Sequence, residues 1–245
     1  MDTIPAPSPN FDIRVRPPDT IVMHYTGMQT GAAALARLQD PTSRVSAHYV
    51  VEEDGRVFAL VPEERRAWHA GKSFWKGDQD VNGCSIGIEI VNPGHEWGYR
   101  PFADPQITAV IALTADIRTR WVVPDDRIIG HSDVAPDRKE DPGELFPWKR
   151  LADAGHGLWA EPDPAPGPSL AEGDSGTGVY ALQAGLAALG YDSAPCGRFD
   201  ADTTGIVRAF QRHWRPRLVD GIADGETRAR LIALLKRARA EAGAR

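Results

Sequence analysis

Apolar and polar positions along the first 157 residues change period repeatedly. Ile21, Val22 and Met23 form a short apolar run that reads as a buried strand ending on His24. Residues 127–130, RIIG, read as a second such strand and deliver His131 in the same way. Residues 85–91 alternate strictly, with Ile86, Ile88 and Ile90 on one face and Ser85, Gly87 and Glu89 on the other. A carboxylate placed as Glu89 is, opposite the isoleucines, is either solvated or functional. Residues 45–52 and 56–61 flank Asp54-Gly55, a strong short-range signal for a hairpin. Between these strands, residues 29–39 and 105–120 carry helical periodicity. The second has Asp104 as cap, Pro105 at the first position and Ile107, Val110, Ile111, Thr114 and Ile117 along one stripe. The pattern predicts an α/β domain over residues 1–157, a mixed central sheet flanked by helices, with its chemistry at the strand ends.

The pattern then changes. Residues 158–169 carry proline at 162, 164, 166 and 168, a composition that sustains neither helix nor ladder and predicts an extended, semi-rigid spacer. Residues 170–245 read as helix only: amphipathic segments at 178–189, ended by Gly190, at 203–214 and at 226–236 predict a small all-α three-helix C-terminal domain. Leu182, Leu186, Leu189, Val207, Phe210, Leu231 and Leu234 supply it with an apolar core of its own. A chain ending near Pro168 is therefore expected to fold alone. The 245 residues, 42% of them hydrophobic, suit one larger and one smaller domain.

Charge narrows the partners. Residues 1–165 hold 17 basic and 25 acidic side chains, and residues 166–245 hold 11 and 9. Neither half has the basic stripe of a nucleic-acid binder. No apolar run reaches the roughly 18 residues that a membrane span needs. The N-terminal stretch lacks a basic start followed by an apolar segment, which favours the cytoplasm; a periplasmic or outer-membrane location is the alternative if an export signal was trimmed. Cys84 and Cys196 lie on opposite sides of the proline-rich segment and read as free thiols.

The richest chemistry lies in HSDVAPDRKEDPG, residues 131–143. Its imidazole and a carboxylate, joined by His24 upstream, make a three-ligand set that leaves one tetrahedral position open for water. An open position is what separates a catalytic zinc site from a structural one.

Four ordered motifs, MHYTG, RAWHAG, SIGIEIVN and GHSDVAPDRKEDPG with LFPW behind it, resemble the type 2 family of N-acetylmuramoyl-L-alanine amidases over about residues 12–155. The tail is similar to the three-helix peptidoglycan-binding module found on cell-wall hydrolases. The resemblance implies one zinc ion per chain held by His24, His131 and Asp141, with Glu89 as catalytic carboxylate and Lys139 as the cation beside the scissile carbonyl. It places Trp68 and His69 in the substrate groove. The implied reaction is hydrolysis of the amide joining muramic acid, or its 1,6-anhydro form, to L-alanine of the stem peptide, in wall recycling or remodelling. Peptidoglycan or soluble muropeptides are then the partners, with no obligatory protein partner evident. A non-catalytic peptidoglycan sensor and a zinc peptidase cutting within the stem peptide are the alternatives. His48, inside an apolar strand, reads as a core or ligand-supporting histidine.

Overall fold

The structure, a computed structural model, describes residues 1–162 and 167–243. Its first part carries strands β1 (Ile4–Pro5), β2 (Phe11–Ile13), β3 (Thr20–Tyr25), β4 (Tyr49–Val51), β5 (Val57–Ala59), β6 (Arg65–Ala67), β7 (Ser85–Ile90) and β8 (Ile128–Gly130). Helices α1 (Gly31–Gln39), α2 (Val81–Cys84), α3 (Gly94–Trp97), α4 (Asp104–Arg120), α5 (His131–Val134) and α6 (Trp148–Asp153) connect them, and α7 (Thr177–Leu189), α8 (Ala201–Trp214) and α9 (Gly225–Gly243) follow.

Six strands form one mixed sheet in the order β1-β5-β4-β7-β3-β8, antiparallel only between β4 and β5. β2 and β6 pair separately and antiparallel. The β4–β5 hairpin turns at Asp54-Gly55, where Gly55 takes φ +88°, a left-handed conformation that glycine adopts without a Cβ penalty. In the parallel pair β3–β7, His24 stands directly opposite Glu89. Register thus places these two residues side by side on the same face.

Alternation divides the sheet's burial. Ile21, Met23, Ile86, Ile88 and Ile90 pack against Ile107, Val110, Leu113 and Ile117 of α4; of the stripe expected from the sequence, Thr114 is also buried, Ile111 is only partly buried, and Leu113 is an addition to it. On that helix Asp104 does not cap: Ala103 occupies the N-cap position, and the Asp104 carboxylate reaches across to Arg150 at 2.7 Å. Thr30 caps α1 by accepting from the Ala33 N–H at 3.1 Å.

The opposite face carries the site at its upper end and the helical bundle below. Val22 and Ile129 share one apolar cluster with Trp75, Val134 and Leu158, and the same cluster continues through Val179, Leu182, Tyr191, Phe210 and Trp214. The bundle's core is therefore continuous with that of the sheet rather than separate from it. The flank of the proline-rich segment is docked as well: the Trp214 indole N–H donates to the Leu158 carbonyl at 2.9 Å, and Arg230 lies 3.4 Å from Glu161. Residues 163–166 of the expected spacer lie outside the described residues. α9 runs to Gly243, past the 226–236 expected. Both cysteines are free, Cys84 buried and Cys196 exposed.

Candidate metal centre and active site

The C-terminal ends of β3 and β8 bring His24 and His131 together, and the loop after α5 returns Asp141 between them. His24 Nδ1 lies 3.0 Å from His131 Nδ1 and 3.0 Å from Asp141 Oδ2, which is 2.9 Å from His131 Nδ1. All three side chains are buried. Three bonds of 2.0–2.2 Å at tetrahedral angles would set such atoms about 3.3–3.6 Å apart, so the triangle is a few tenths of an ångström tighter than a zinc ligand set.

Hydrogen bonding fixes which nitrogens bear protons. His131 Nε2 faces the Ala70 carbonyl at 3.2 Å, and a carbonyl only accepts, so Nε2 carries the proton and Nδ1 is bare. For His24 the assignment runs through two further residues. Ser85 Oγ–H donates to the Val81 carbonyl at 2.5 Å, so Ser85 Oγ accepts from His69 Nε2–H at 3.2 Å. His69 Nδ1 is then the acceptor for His24 Nε2–H at 3.0 Å, and His24 Nδ1 is bare. Two bare nitrogens and a carboxylate oxygen, all acceptors, thus point at one another in contact. A metal cation between them would satisfy all three atoms at once.

The electrostatics agree. Burial, followed by the neighbouring His131, pushes His24 down to about 4, so its ring is neutral at ordinary pH. Burial, then His24 and His48, pushes His69 well below its usual value.

Glu89 and Lys139 stand beside this triangle in a cleft of about 700 Å³. Glu89 Oε2 is buried with no hydrogen-bond partner. Burial first, and the Asp141 charge second, hold its carboxyl well above the usual range, while the Lys139 ammonium works in the other direction. A carboxyl so placed is suited to carrying a proton near neutrality.

Trp68 and His69 also line the cleft, but differently. Trp68 is half-buried, with its indole N–H donating to Asp12 at 2.7 Å. His69 has both ring nitrogens engaged, with His24 and with Ser85. His48 is fully buried, accepting from the Gly87 N–H and donating to the Arg65 carbonyl, each at 3.0 Å.

The sequence reading missed Ser85, which looked like one more small residue of an alternating strand, and Tyr99. The Tyr99 hydroxyl donates to the Pro142 carbonyl at 2.7 Å and accepts from the Leu145 N–H at 2.9 Å, pinning the loop that follows Asp141.

Comparison with known proteins places this geometry. The sequence pattern of the N-acetylmuramoyl-L-alanine amidase family matches residues 14–144, and that of a peptidoglycan binding domain matches residues 175–231. The chain is similar to the N-acetylmuramoyl-L-alanine amidase AmiD of Escherichia coli, 38% identical over 232 residues, 89% of this chain and 82% of that protein. It is similar to the 1,6-anhydro-N-acetylmuramyl-L-alanine amidase AmpD of Enterobacter cloacae, 33% identical over 62% of this chain and 89% of that protein. Among solved structures, the complex of E. coli AmiD with anhydro-N-acetylmuramic acid-L-Ala-D-gamma-Glu-L-Lys superposes with a TM-score of 0.77 at 37% identity, covering 91% of this chain and 90% of that one. AmpDh3 of Pseudomonas aeruginosa with anhydromuramic pentapeptide superposes at 0.75 with 31% identity, covering 91% and 92%.

Proposed function

This chain belongs to the N-acetylmuramoyl-L-alanine amidase family, and on that premise we propose that it hydrolyses the amide between the lactyl group of N-acetylmuramic acid, or its 1,6-anhydro form, and L-alanine of the stem peptide. The observation that carries the reading is the convergence of His24, His131 and Asp141, with bare ligand atoms, beside the unpaired buried oxygen of Glu89. Those three residues would hold one zinc ion, which supplies a Lewis acid and a water acidified to a pKa of about 7.

The chain's own residues perform the rest. Glu89 takes the proton of the attacking water and delivers it to the leaving nitrogen of L-alanine as the C–N bond breaks. Lys139, at the cleft wall, places its positive charge where the carbonyl oxygen becomes negative as its carbon turns tetrahedral. His69 and Ser85 hold the His24 ring in the tautomer that leaves Nδ1 free. Trp68 offers an aromatic face to the sugar or peptide at the cleft rim.

Anhydromuramyl peptides are the substrates this reading favours, because two related structures hold such molecules. The bundle's match to a peptidoglycan binding domain extends the reading to polymeric wall. No helix among the described residues is long and apolar enough to cross a membrane. Fractionation of the native host separates a cytoplasmic enzyme, which meets recycled muropeptides, from a periplasmic or outer-membrane one, which meets the wall.

The proposal is tested by metal analysis of the purified protein combined with chelation. About one zinc ion per chain, activity on a muramyl peptide lost on chelation and regained with zinc, is the expected result. A metal-free protein with undiminished activity would overturn it.

A further inference from the structure

Two residues beyond His131 lies a carboxylate that the amidase part does not satisfy alone. Asp133 is 1% exposed. Its Oδ2 accepts from the Gly130 N–H at 2.8 Å, closing a turn around His131. The same turn holds the third ligand, since the Ser132 N–H donates to the Asp141 carbonyl at 2.8 Å. The remaining partners of Asp133 come from the C-terminal bundle: His213 Nδ1–H donates to Oδ2 at 2.7 Å and the Tyr191 hydroxyl to Oδ1 at 2.6 Å.

Both donors are themselves fixed. The His213 ring is stacked between Trp148 and Trp214, each with a centroid 3.7 Å away, and Tyr191 meets Trp75 edge-on at 5.1 Å. Trp148 and Trp75 belong to the amidase part, so the donors sit in a rigid slot built by both parts of the chain.

We propose that His213 and Tyr191 are positioning residues of the metal centre, and that the bundle, besides any affinity for wall, holds the 130–133 turn through Asp133 and thereby aims His131 and Asp141. A buried carboxylate that loses one of its three donors is left with an unsatisfied oxygen lone pair and relieves that cost by rotating, which opens the turn. Loss of outer partners of metal ligands commonly lowers metal affinity about 10–100-fold.

This inference rests on His24, His131 and Asp141 being the metal site. The test measures zinc affinity of the full chain by competition with a chromophoric chelator, together with the visible spectrum of the cobalt(II)-substituted protein and the melting temperature. His213→Ala and Tyr191→Phe should each raise the zinc dissociation constant about tenfold or more and shift the cobalt spectrum. His213→Asn, which retains a side-chain N–H donor, should recover part of the loss. Leu234→Ala, a truncation in the bundle core at a residue of α9 that makes no hydrogen bond to Asp133, should lower the melting temperature and leave zinc affinity and spectrum at wild type. Tyr191→Phe removes one hydroxyl and keeps the ring, so it reports even if His213→Ala does not fold. Zinc affinities and spectra of Tyr191→Phe and His213→Asn equal to wild type would overturn the inference while leaving the metal site intact. A wild-type chain without zinc affinity would instead overturn the metal site itself.

Discussion

Glu89 and Lys139 divide the proton and charge work of the proposed reaction, and their contributions separate from metal binding. Glu89→Gln keeps the shape of the side chain and removes its basicity; Lys139→Ala removes the cation. Each should lower turnover on a muramyl peptide about a hundredfold or more with zinc content unchanged, and wild-type rates in both variants would refute the assignment. His48 contributes to stability instead. Burial pushes it down to about 3, so the folded ring stays neutral while the unfolded one takes a proton near 6.5. Its contribution is therefore complete above pH 6.5 and is lost as pH falls toward 3, at up to about 1.4 kcal/mol per pH unit. Urea unfolding across that window should show a shallower pH dependence, by up to one proton, in His48→Gln than in wild type. The pairing of His24 with His131 was legible because each ends an apolar run. The contacts of His69 were not, because both of its partners, His24 and Ser85, lie far from it in sequence.

Among the elements, β7 and α4 stand out in the sequence because each turns a stripe of apolar residues to the core, and β3 because it is an unbroken apolar run buried on both faces. β1, β2 and β6 span two or three residues, too short for a period of two to show. The extra length of α9 escapes for a different reason: residues 237–243, RARAEAG, carry no large apolar side chain to continue the stripe. β7 contains a constraint that bears on the site. A Cβ on Gly87 would come within 2.5 Å of the His69 ring, so only glycine lets that ring lie over the strand and reach His24. Gly87→Ala is expected to cost about 1–3 kcal/mol through overpacking and, by displacing His69, to weaken zinc binding. Denaturant unfolding of the apo protein and chelator competition read the two effects separately; a variant unchanged in both would show that the ring has room to move.

At the scale of the whole molecule, the sequence divides more cleanly than the structure does. Val22 and Ile129 read as parts of short strands and Leu182 and Phe210 as core of the bundle, and no periodicity reveals that the four share one core. A chain ending at Pro168 would uncover Trp75, Ile129 and Val134 and leave Asp133 without two of its donors. It should therefore aggregate or melt well below the full chain, against the independent folding expected from the pattern alone; an equal melting temperature would show that the bundle merely rests on the amidase. The most direct test of the central claim is mass spectrometry of the products formed from anhydro-N-acetylmuramic acid-L-Ala-D-gamma-Glu-L-Lys by the zinc-loaded full chain. Free anhydro-N-acetylmuramic acid and an intact tripeptide beginning with L-alanine are the predicted products, whereas cleavage within the peptide, or an uncleaved substrate, would contradict the account.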